Sequence, residues 1–453
     1  MAKFNREKAL RKIEFKRKWR NYSRYVYIAV PCVLCCLLCL YFAYSKFFVS
    51  EEQAVIRTTV GDFIYGDIVI SAYIDGEYSN TIPGKDDGYI VEKVSCDNDA
   101  IGKWNSDDWG IMVTDLSKRT KCNVYFKKKP DSKVPEIIAQ LDTSGKCPTV
   151  NDDGSVNVTG VEATNGYLCK AKDAYGDSYY YRGNVTNNYV KFADKYWRIV
   201  RINGDGTVRV IYDGTSAHAN GEASADRQIG TSAFNSSYND NAYVGYMYGK
   251  TGASTYADAH ANTNNSTIKT YIDDWYKTNI VGTTNEQYLA DNIFCNDRSM
   301  AGNNSGTGAG TSVTYYRWYN GPWESENYSK YNKKMMLTCS QKNDAFTVSD
   351  TTNGNGALTY PVGLLSTDEI ALAGGWNAAN SGYYLYSGQV WWASSPYYFN
   401  GYYAFVRYVF SNGNANDNDG VNFYYGVRPV FNLKAEVLLQ GSGTAEDPYR
   451  ISS

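Results

Sequence analysis

Apolar and polar residues alternate with a period of two along much of this chain, and Gly, Asp and Asn separate the alternating runs. The runs "GDFIYGDIVISAYIDG", "GYIVEKVSC" and "WGIMVTDLSKRTKCNVYF" all fall between residues 59 and 129. Such alternation is typical of strands that bury one face. We therefore predict a small all-β, sandwich-like domain over residues 59–129. Trp104 and Trp109 within it are interpreted as core anchors, with a carbohydrate platform as the alternative.

A second alternating region begins near Cys147 and continues to the C-terminus. The run "YWRIVRINGDGTVRVIYDG" predicts a hairpin that turns at residues 203–206. Near the C-terminus, "GVRPVFNL" predicts a strand whose inner face carries Val427, Pro429, Phe431 and Leu433. Arg428 in this strand is interpreted as a structural ion pair or backbone clamp.

The period becomes helical in two places only. "STIKTYIDDWYKTNI" places Ile268, Ile272 and Tyr276 on one face after a cap at Ser266 or Thr267. "LSTDEIALAGG" has Ser366 and Glu369 at capping-box spacing and ends on two glycines. The C-terminal region is therefore predicted to combine many short strands and long polar loops with few helices.

One stretch is apolar without alternation. "YVYIAVPCVLCCLLCLYFAY", residues 25–44, contains no charged residue, and as a helix it would span about 30 Å, the thickness of a bilayer core. Ten Lys or Arg precede it beside only two Glu. We predict an uncleaved signal-anchor helix with a cytoplasmic N-terminus and an extracellular C-terminal part, a single-pass protein of the cell membrane. A cleaved signal peptide is the alternative, but the apolar run is longer than usual and no A-x-A site follows.

These patterns divide the chain into six predicted segments. They are a basic cytoplasmic tail (1–24), the transmembrane signal-anchor (25–44), a stalk (45–58), the small β domain (59–129), a linker (130–142) and a C-terminal domain (143–453). The linker prediction rests on the polar run "KKKPDSKVPE".

The composition excludes several function classes. The chain has 43 Tyr but only two His, and its net charge is -2. His218 and His260 lie in polar, Asn-, Ala- and Gly-rich sequence, so we predict exposed loop residues and little scope for imidazole catalysis or His-based metal binding. Nucleic acid is not an expected partner. Phosphate binding requires a clustered positive surface, and the basic cluster of this chain directly precedes the predicted membrane anchor.

Six cysteines lie outside the apolar span: Cys96, Cys122, Cys147, Cys169, Cys295 and Cys339. An even number in an exported segment is typical of disulfides. Sequence neighbours suggest three local pairs, Cys96 with Cys122, Cys147 with Cys169 and Cys295 with Cys339, although six cysteines allow fifteen connectivities. No C-x-x-C pair lies in this part, which argues against a zinc ribbon or a thioredoxin-type site.

The segment from Tyr397 to Tyr425 is rich in aromatic and amide side chains, with seven Tyr, six Asn and four Phe but one Arg. Tyr gives large contact area at low entropic cost and Asn both donates and accepts hydrogen bonds, so this composition is typical of a binding surface. Phe399, Phe405, Phe410 and Phe423 are predicted to fill the core. The predicted ligand contacts are Tyr397, Tyr398, Asn400, Tyr402, Tyr403, Tyr408, Asn412, Asn414, Asn416, Asp417, Asn418, Asn422 and Tyr424.

Several motifs in order resemble one known family. "YYYRGNVTNNYVKFADKYWRIVRINGDGTVRVIYDG", "IFCNDRS", "LTYPVGLLSTDEIALAGG", "WWASSP", "YGVRPVFNLK" and "GSGTAEDPYRI" resemble bacterial surface proteins with a C-terminal C-type-lectin-like domain related to formylglycine-generating enzymes. The resemblance covers residues 143–453 and implies an α+β fold in which loops project from a small antiparallel sheet. Variable proteins of diversity-generating retroelements share that wider fold, and their binding segments are rewritten at adenine-containing codons, with Asn codons the richest source.

Two functions of different class follow from these patterns. The favoured one is a membrane-anchored surface binding or adhesion protein whose C-terminal head engages a protein or glycan; the alternative is an extracellular or degenerate enzyme of the formylglycine-generating-enzyme-like fold. The resemblance would require a reactive cysteine pair for that activity, but no Cys follows Cys339. A hydrolase that uses the carboxylates of Asp368 and Glu369 is a further alternative. Acidic residues at the start of a helix are, however, better explained by their interaction with the helix dipole.

No cofactor is predicted, and calcium is the one alternative weighed. The loop from Asn414 to Gly420 offers oxygen ligands, but it lacks the Gly at position six and the Glu at position twelve of a helix-loop-helix calcium site.

Overall fold

The structure is a computed structural model that describes residues 11, 14–19, 54–56, 63–65, 68–85, 87–106, 108–114, 120–128, 131–302, 305–319, 334–376, 378–415 and 417–451. The predicted signal-anchor, residues 25–44, lies outside the described residues. None of the helices within the described ranges is long and apolar enough to cross a bilayer. The fold is mostly β, with several sheets and few helices.

The chain divides into two compact units after residue 129. The first unit contains two sheets. One has the order β1-β7-β6 and the other β2-β3-β8-β5, with β4 paired to β3. The strand bounds are β1 Ala54–Ile56, β2 Phe63–Tyr65, β3 Ile68–Ile74, β4 Glu77–Ser79, β5 Tyr89–Cys96, β6 Ile101–Asn105, β7 Gly110–Thr114 and β8 Thr120–Lys128. Because β1 pairs with β7, part of the predicted stalk (45–58) belongs to this unit.

Alternation explains the core of the first unit. Ile70 and Ala72 of β3 and Val124 of β8 meet Ile111 and Val113 of β7 in one apolar cluster, since alternate residues of a strand share a face.

The two tryptophans lie at the edge of this cluster. Trp104 and Trp109 are half-buried and both contact the Phe126 ring, with the two indoles edge to face at 5.3 Å. The indole nitrogen of Trp109 donates to the Pro83 carbonyl. These contacts agree with the core-anchor interpretation.

Three disulfides join the pairs suggested by the sequence. Cys96 is bonded to Cys122, Cys147 to Cys169 and Cys295 to Cys339, with Cα atoms 4.0, 5.5 and 5.6 Å apart. Disulfides persist in oxidising compartments, so they indicate an extracellular or otherwise oxidising location.

We predict that replacing both Cys96 and Cys122 by Ala lowers the free energy of unfolding of the first unit by about 3 kcal/mol, because the bond closes a short loop in the unfolded chain. Chemical denaturation under non-reducing conditions measures the change. An unchanged midpoint in the double variant would contradict the prediction.

The second unit is built on a seven-stranded sheet of order β20-β25-β13-β12-β10-β9, with β11 paired to β12. The strand bounds are β9 Tyr167–Asp173, β10 Gly176–Arg182, β11 Tyr189–Phe192, β12 Lys195–Ile202, β13 Val208–Gly214, β20 Val362–Gly363 and β25 Val430–Leu433. The hairpin of β12 and β13 is the one predicted from the sequence. Both neighbours of the C-terminal strand β25 precede it by many residues, so this strand completes the sheet.

A six-stranded sheet of order β14-β24-β21-β22-β23, with β18 paired to β21, lies in the same unit. Its bounds are β14 Thr231–Ala233, β18 Thr314–Tyr315, β21 Trp391–Phe399, β22 Ala404–Val409, β23 Asp417–Gly420 and β24 Tyr424–Gly426. Two small sheets pair β15 Met247–Tyr248 with β16 Asn264–Asn265 and β17 Phe294–Cys295 with β19 Ala345–Phe346.

Helices of the second unit include α1 Val134–Ile138, α2 Tyr256–Ala259, α3 Thr267–Asn279 and α4 Thr367–Ala373. Both sequence-predicted helices form. Ser266 caps α3, and α4 begins with the predicted capping box of Ser366 and Glu369 and ends at Gly374 in a left-handed conformation.

The predicted linker (130–142) is wrong for residues 131–142. Helix α1 lies within it, and Val134 and Ile137 are buried in the main core of the second unit. The backbone nitrogen of Lys133 also donates to the Leu438 carbonyl at 2.7 Å. The polar run conceals one apolar turn, and burying that turn against the C-terminal residues offsets the cost of ordering it.

Candidate binding surface

The Tyr- and Asn-rich segment contains the end of β21, strands β22 and β23, and most of β24 of the six-stranded sheet. Strand β21 pairs antiparallel with β22, which pairs antiparallel with β23, and β24 lies on the other side of β21. The turns between these strands therefore carry residues 400–403 and 410–416 to the ends of the sheet, and residues 421–423 connect β23 to β24.

Five large aromatic side chains of these turns and strand ends are exposed to solvent. The exposed fractions are 76% for Tyr402, 69% for Tyr424, 51% for Phe423, 43% for Tyr403 and 40% for Phe410. We call these five residues the aromatic patch. Large rings exposed to solvent are candidate contacts for a binding partner.

Hydrogen bonds and ring stacking fix the Tyr402 and Tyr403 end of the aromatic patch. The Asn400 side-chain oxygen accepts from the backbone nitrogens of Tyr402 and Tyr403 at 2.9 and 2.7 Å. The Tyr403 ring then stacks on Tyr238 with centroids 4.7 Å apart and planes at 9°. Because the turn and the Tyr403 ring are already held in place, ordering them on binding would cost little conformational entropy.

The Phe423 and Phe410 end is supported from below by a second set of rings. Phe423 stacks on Tyr425 at 6.3 Å, and Tyr425 contacts both Trp392 and Tyr408 at 4.9 Å. Tyr408 in turn lies 6.4 Å from Phe410. The half-buried Tyr425 and the buried Trp392 and Tyr408 thus form the base on which the Phe423 and Phe410 rings rest.

Several predicted ligand contacts are placed elsewhere. Tyr397 and Tyr408 are buried, so their prediction as contacts is wrong in this structure. The Arg407 guanidinium lies 4.4 Å above the Tyr397 ring, and Tyr408 belongs to the base just described. Tyr398 is half-buried and stacks on Phe405 at 4.5 Å.

The asparagines mainly build turns. Like Asn400, the Asn412 side-chain oxygen accepts a backbone hydrogen bond, from Asn414 at 3.0 Å. Asn414, Asn418 and Asn422 are half-buried and Asn412 is exposed. Asn416 and the side chain of Asp417 lie outside the described residues. Asn and Asp favour such turns because their side chains hydrogen-bond to backbone two residues ahead.

The Phe residues of the segment correct a second prediction. Phe399 is buried as expected and Phe405 is half-buried, but Phe410 and Phe423 are exposed. The missed exposure enlarges the apolar part of the surface. The sequence offered no sign of it, because a Phe at a turn has the same composition signal as one in the core.

Apart from Arg428, sequence reasoning also missed the buried charges. Arg198, Arg227 and Arg428 are fully buried around the single carboxylate of Asp213. A second buried network joins Arg201 and Arg209 to Asp173 and Glu369, and a third joins Arg317 to Asp297 and Asp368. Arg428 donates to the Tyr212 and Leu385 carbonyls as well, which agrees with its interpretation as a structural clamp.

Both histidines are buried, which contradicts their prediction as exposed loop residues. His218 lies between the carboxylates of Glu222 and Asp226, at 2.7 and 3.0 Å. His260 packs on Tyr256 at 4.3 Å, and burial holds its pKa well below the usual value. Long polar loops fold over the sheet in this unit, so residues in polar sequence become interior.

The two carboxylates considered as catalytic groups form ion pairs with buried arginines. Asp368 bonds to Arg317 and to the Trp318 indole, and Glu369 bonds to Arg209 at 2.6 Å and Arg201 at 3.2 Å. Desolvation raises the pKa of Asp368, whereas the two arginines hold that of Glu369 low against the effect of burial. In the described ranges no three His, Cys, Asp or Glu side chains are grouped closely enough to hold a metal ion.

Comparison with known proteins gives one match. Residues 264–435 match the family model described as a domain of unknown function, DUF6273. The matched region contains the whole aromatic patch. No curated protein and no solved structure matches the chain.

Proposed function

We propose that this chain is an exported, membrane-anchored surface protein whose second unit binds a protein or glycan ligand through the aromatic patch. The observation that carries the proposal is the exposure of five large rings at turns and strand ends of the six-stranded sheet, where stacking holds Tyr403 and hydrogen bonds hold the 400–403 turn. Rigid aromatic side chains supply much of the free energy of binding at protein surfaces.

The location follows from two features. The three disulfides suit an oxidising, extracellular compartment. The charge-free residues 25–44, with the basic residues before them, support a single-pass anchor that leaves both units outside the cell.

The proposed fold type is C-type-lectin-like, and the proposed use of the segment is a surface that tolerates variation. The side chains of Asn400 and Asn412 fix the backbone of their turns through hydrogen bonds, while the neighbouring Tyr402 and Phe410 rings are exposed to solvent. Exposed residues on loops accept substitution more readily than core residues.

Sequencing of the neighbouring DNA tests the proposed diversification. We expect a reverse transcriptase gene and a near-copy of the segment encoding residues 394–428 that differs from it at adenines. A locus with neither would remove diversification from the proposal and leave the binding function to be tested separately.

The proposed enzyme alternative lacks support in the site, since Asp368 and Glu369 are both buried in ion pairs. Binding therefore accounts better than catalysis for the exposed part of the second unit.

The binding function is tested by replacing Tyr402, Tyr403, Phe423 and Tyr424 together by Ser. Each lost anchor is expected to cost about 2 kcal/mol of binding free energy, so ligand affinity should fall about a hundredfold or more. Surface plasmon resonance on ligands selected from a glycan array and an array of cell-surface proteins measures the change.

The control replaces exposed apolar residues outside the aromatic patch, Ile101 and Val281, by Ser. This variant should bind as the unaltered chain does. Equal loss of affinity in both variants, or full affinity in the patch variant, would refute the proposed site.

A further inference from the structure

A cavity of about 310 Å³ lies at the C-terminal end of helix α4, and no residue of the aromatic patch is among its lining residues. Its walls come from residues 158–161, 163 and 164, from Arg182 at the end of β10, and from residues 371, 374, 376 and 378–380. Most lining side chains are small, among them Ala163, Ala378 and Ala379, so the space is not filled by the protein. Its volume is at the lower end of the range of small-molecule sites, about 300–1,000 Å³.

Among the described residues, Arg182 is the only charged side chain that lines this cavity. It is 3% exposed, and its guanidinium donates to four backbone carbonyls. Nε bonds to Glu162, Nη1 to Ala371 and Leu372, and Nη2 to Val161. A guanidinium has five N–H groups. The fifth, on Nη2, has no acceptor among the described residues.

The positive charge of Arg182 interacts with the Glu162 carboxylate only beyond salt-bridge distance. In the described ranges no carboxylate forms a salt bridge with it. The nearby Glu162 carboxylate is used by Thr164, Asn165 and Tyr167, at 2.6, 3.1 and 2.6 Å. Burial lowers the pKa of Arg182. The carbonyls of the last turn of α4 supply only part of a negative charge, so the site is electrostatically suited to an anion.

Trp376 gives the cavity an apolar wall. Its half-buried ring meets Trp318 edge to face at 5.0 Å, and Arg407 lies 5.7 Å from its centroid. These contacts hold the indole in place. An indole presents a flat surface to apolar C–H groups.

We infer that this cavity binds a small carboxylate-bearing molecule, with the carboxylate at Arg182 and the body of the molecule against Trp376. An acidic sugar and the C-terminal residue of a peptide share this chemistry. The site is separate from the aromatic patch, and it does not depend on what the aromatic patch binds. The competing role for Arg182 is a clamp that only ties residues 161–162 to the end of α4.

Isothermal titration calorimetry on the full chain tests the inference with two matched pairs of probes: glucuronate against glucose, and N-acetylalanine against its amide. At least one acid should bind about tenfold or more tightly than its neutral partner, because hydrogen bonds to a charged group are the stronger ones. The acid that binds more tightly identifies the source as sugar or peptide. No acid binding at 20 mM probe, or equal binding of acid and neutral partner, overturns the inference.

Two variants locate the site. Arg182→Gln removes the charge, and Ala378→Trp fills the cavity from its exposed rim without touching the guanidinium. Both should weaken acid binding about tenfold or more. If Arg182→Gln fails to fold, Ala378→Trp decides, and undiminished acid binding in Ala378→Trp overturns the inference. Tyr402→Ser, in the aromatic patch, should leave acid binding unchanged, which separates this result from failure of the proposed function.

Discussion

Phe431→Asp is expected to unfold the second unit at room temperature. Phe431 is fully buried on β25, stacks on Trp197 at 4.7 Å and meets Tyr276 edge to face at 5.6 Å. Loss of a buried Phe costs about 3–5 kcal/mol, and a buried, unpaired carboxylate adds several kcal/mol more. The sum is comparable to the whole stability of a domain, about 5–15 kcal/mol.

Near-UV circular dichroism and thermal melting measure this effect, with Phe431→Leu and Tyr424→Ser as controls. The Leu variant keeps an apolar side chain of similar shape and should fold with a modest loss. Tyr424→Ser should change the free energy of unfolding by no more than about 0.5 kcal/mol, as exposed substitutions usually do. If Tyr424→Ser lowers the melting temperature as much as Phe431→Asp does, the aromatic patch is part of the core and the proposed binding surface is wrong.

The elements that could be predicted from the sequence are those with local signals. The hairpin of β12 and β13 turns at residues 203–206, and helix α3 combines an amphipathic face with its Ser266 cap. Alternation, caps and turn residues act over a few neighbours, and tertiary contacts reinforce them here. The disulfide pairs could also be predicted, since each bond joins two cysteines that follow one another in the sequence of the six cysteines outside residues 25–44.

The interior charges depend on partners far away in the chain. Arg201 bonds to Glu369, 168 positions away, and Arg428 bonds to Asp213, 215 positions away. Arg is usually an exposed residue, so a single Arg in an alternating strand is assigned to the solvent face. Strand β13 shows the failure most clearly, because it is buried on both faces while carrying Arg209 and Asp213. Segments that are distant in the sequence cover the face of β13 that the alternating pattern predicts to be exposed to solvent.

The candidate site was predicted as a segment but not residue by residue. Composition identified residues 397–425 as unusual, yet Tyr402 is exposed and Tyr408 is buried. The difference lies in the sheet: Tyr402 is in the turn before β22, whereas Tyr408 is within β22, opposite Trp392. Turn position and cross-strand partners decide exposure, and neither is encoded by residue type. The same reasoning explains why Asn400 and Asn412 serve the backbone instead of a ligand.

Asp213 holds the most concentrated charge in the described core. Its Oδ1 accepts from Arg227 and Arg428 at 2.8 Å each, and Arg198 lies 3.8 Å from Oδ2. Burial lowers the pKa of Arg428 to about 10, which leaves it protonated at neutral pH. One carboxylate thus faces three buried cations, and backbone carbonyls such as those of Val185, Tyr384 and Leu385 accept their remaining N–H groups.

Asp213→Ala is therefore expected to lower the free energy of unfolding of the second unit by about 5 kcal/mol, the upper end of the cost of breaking a buried ion pair. Chemical denaturation at neutral pH measures the loss, with Asp274→Ala, an exposed carboxylate on α3, as the matched control that should change stability by no more than about 0.5 kcal/mol. The double variant Asp213→Ala with Arg428→Leu should regain part of the loss, because it removes one of the stranded cations together with their counter-ion. The contradicting outcome is a loss of unfolding free energy in Asp213→Ala that is no larger than in Asp274→Ala. In that case the backbone carbonyls alone would compensate the three arginines, and the ion cluster would have no role in holding β13 to the C-terminal strand.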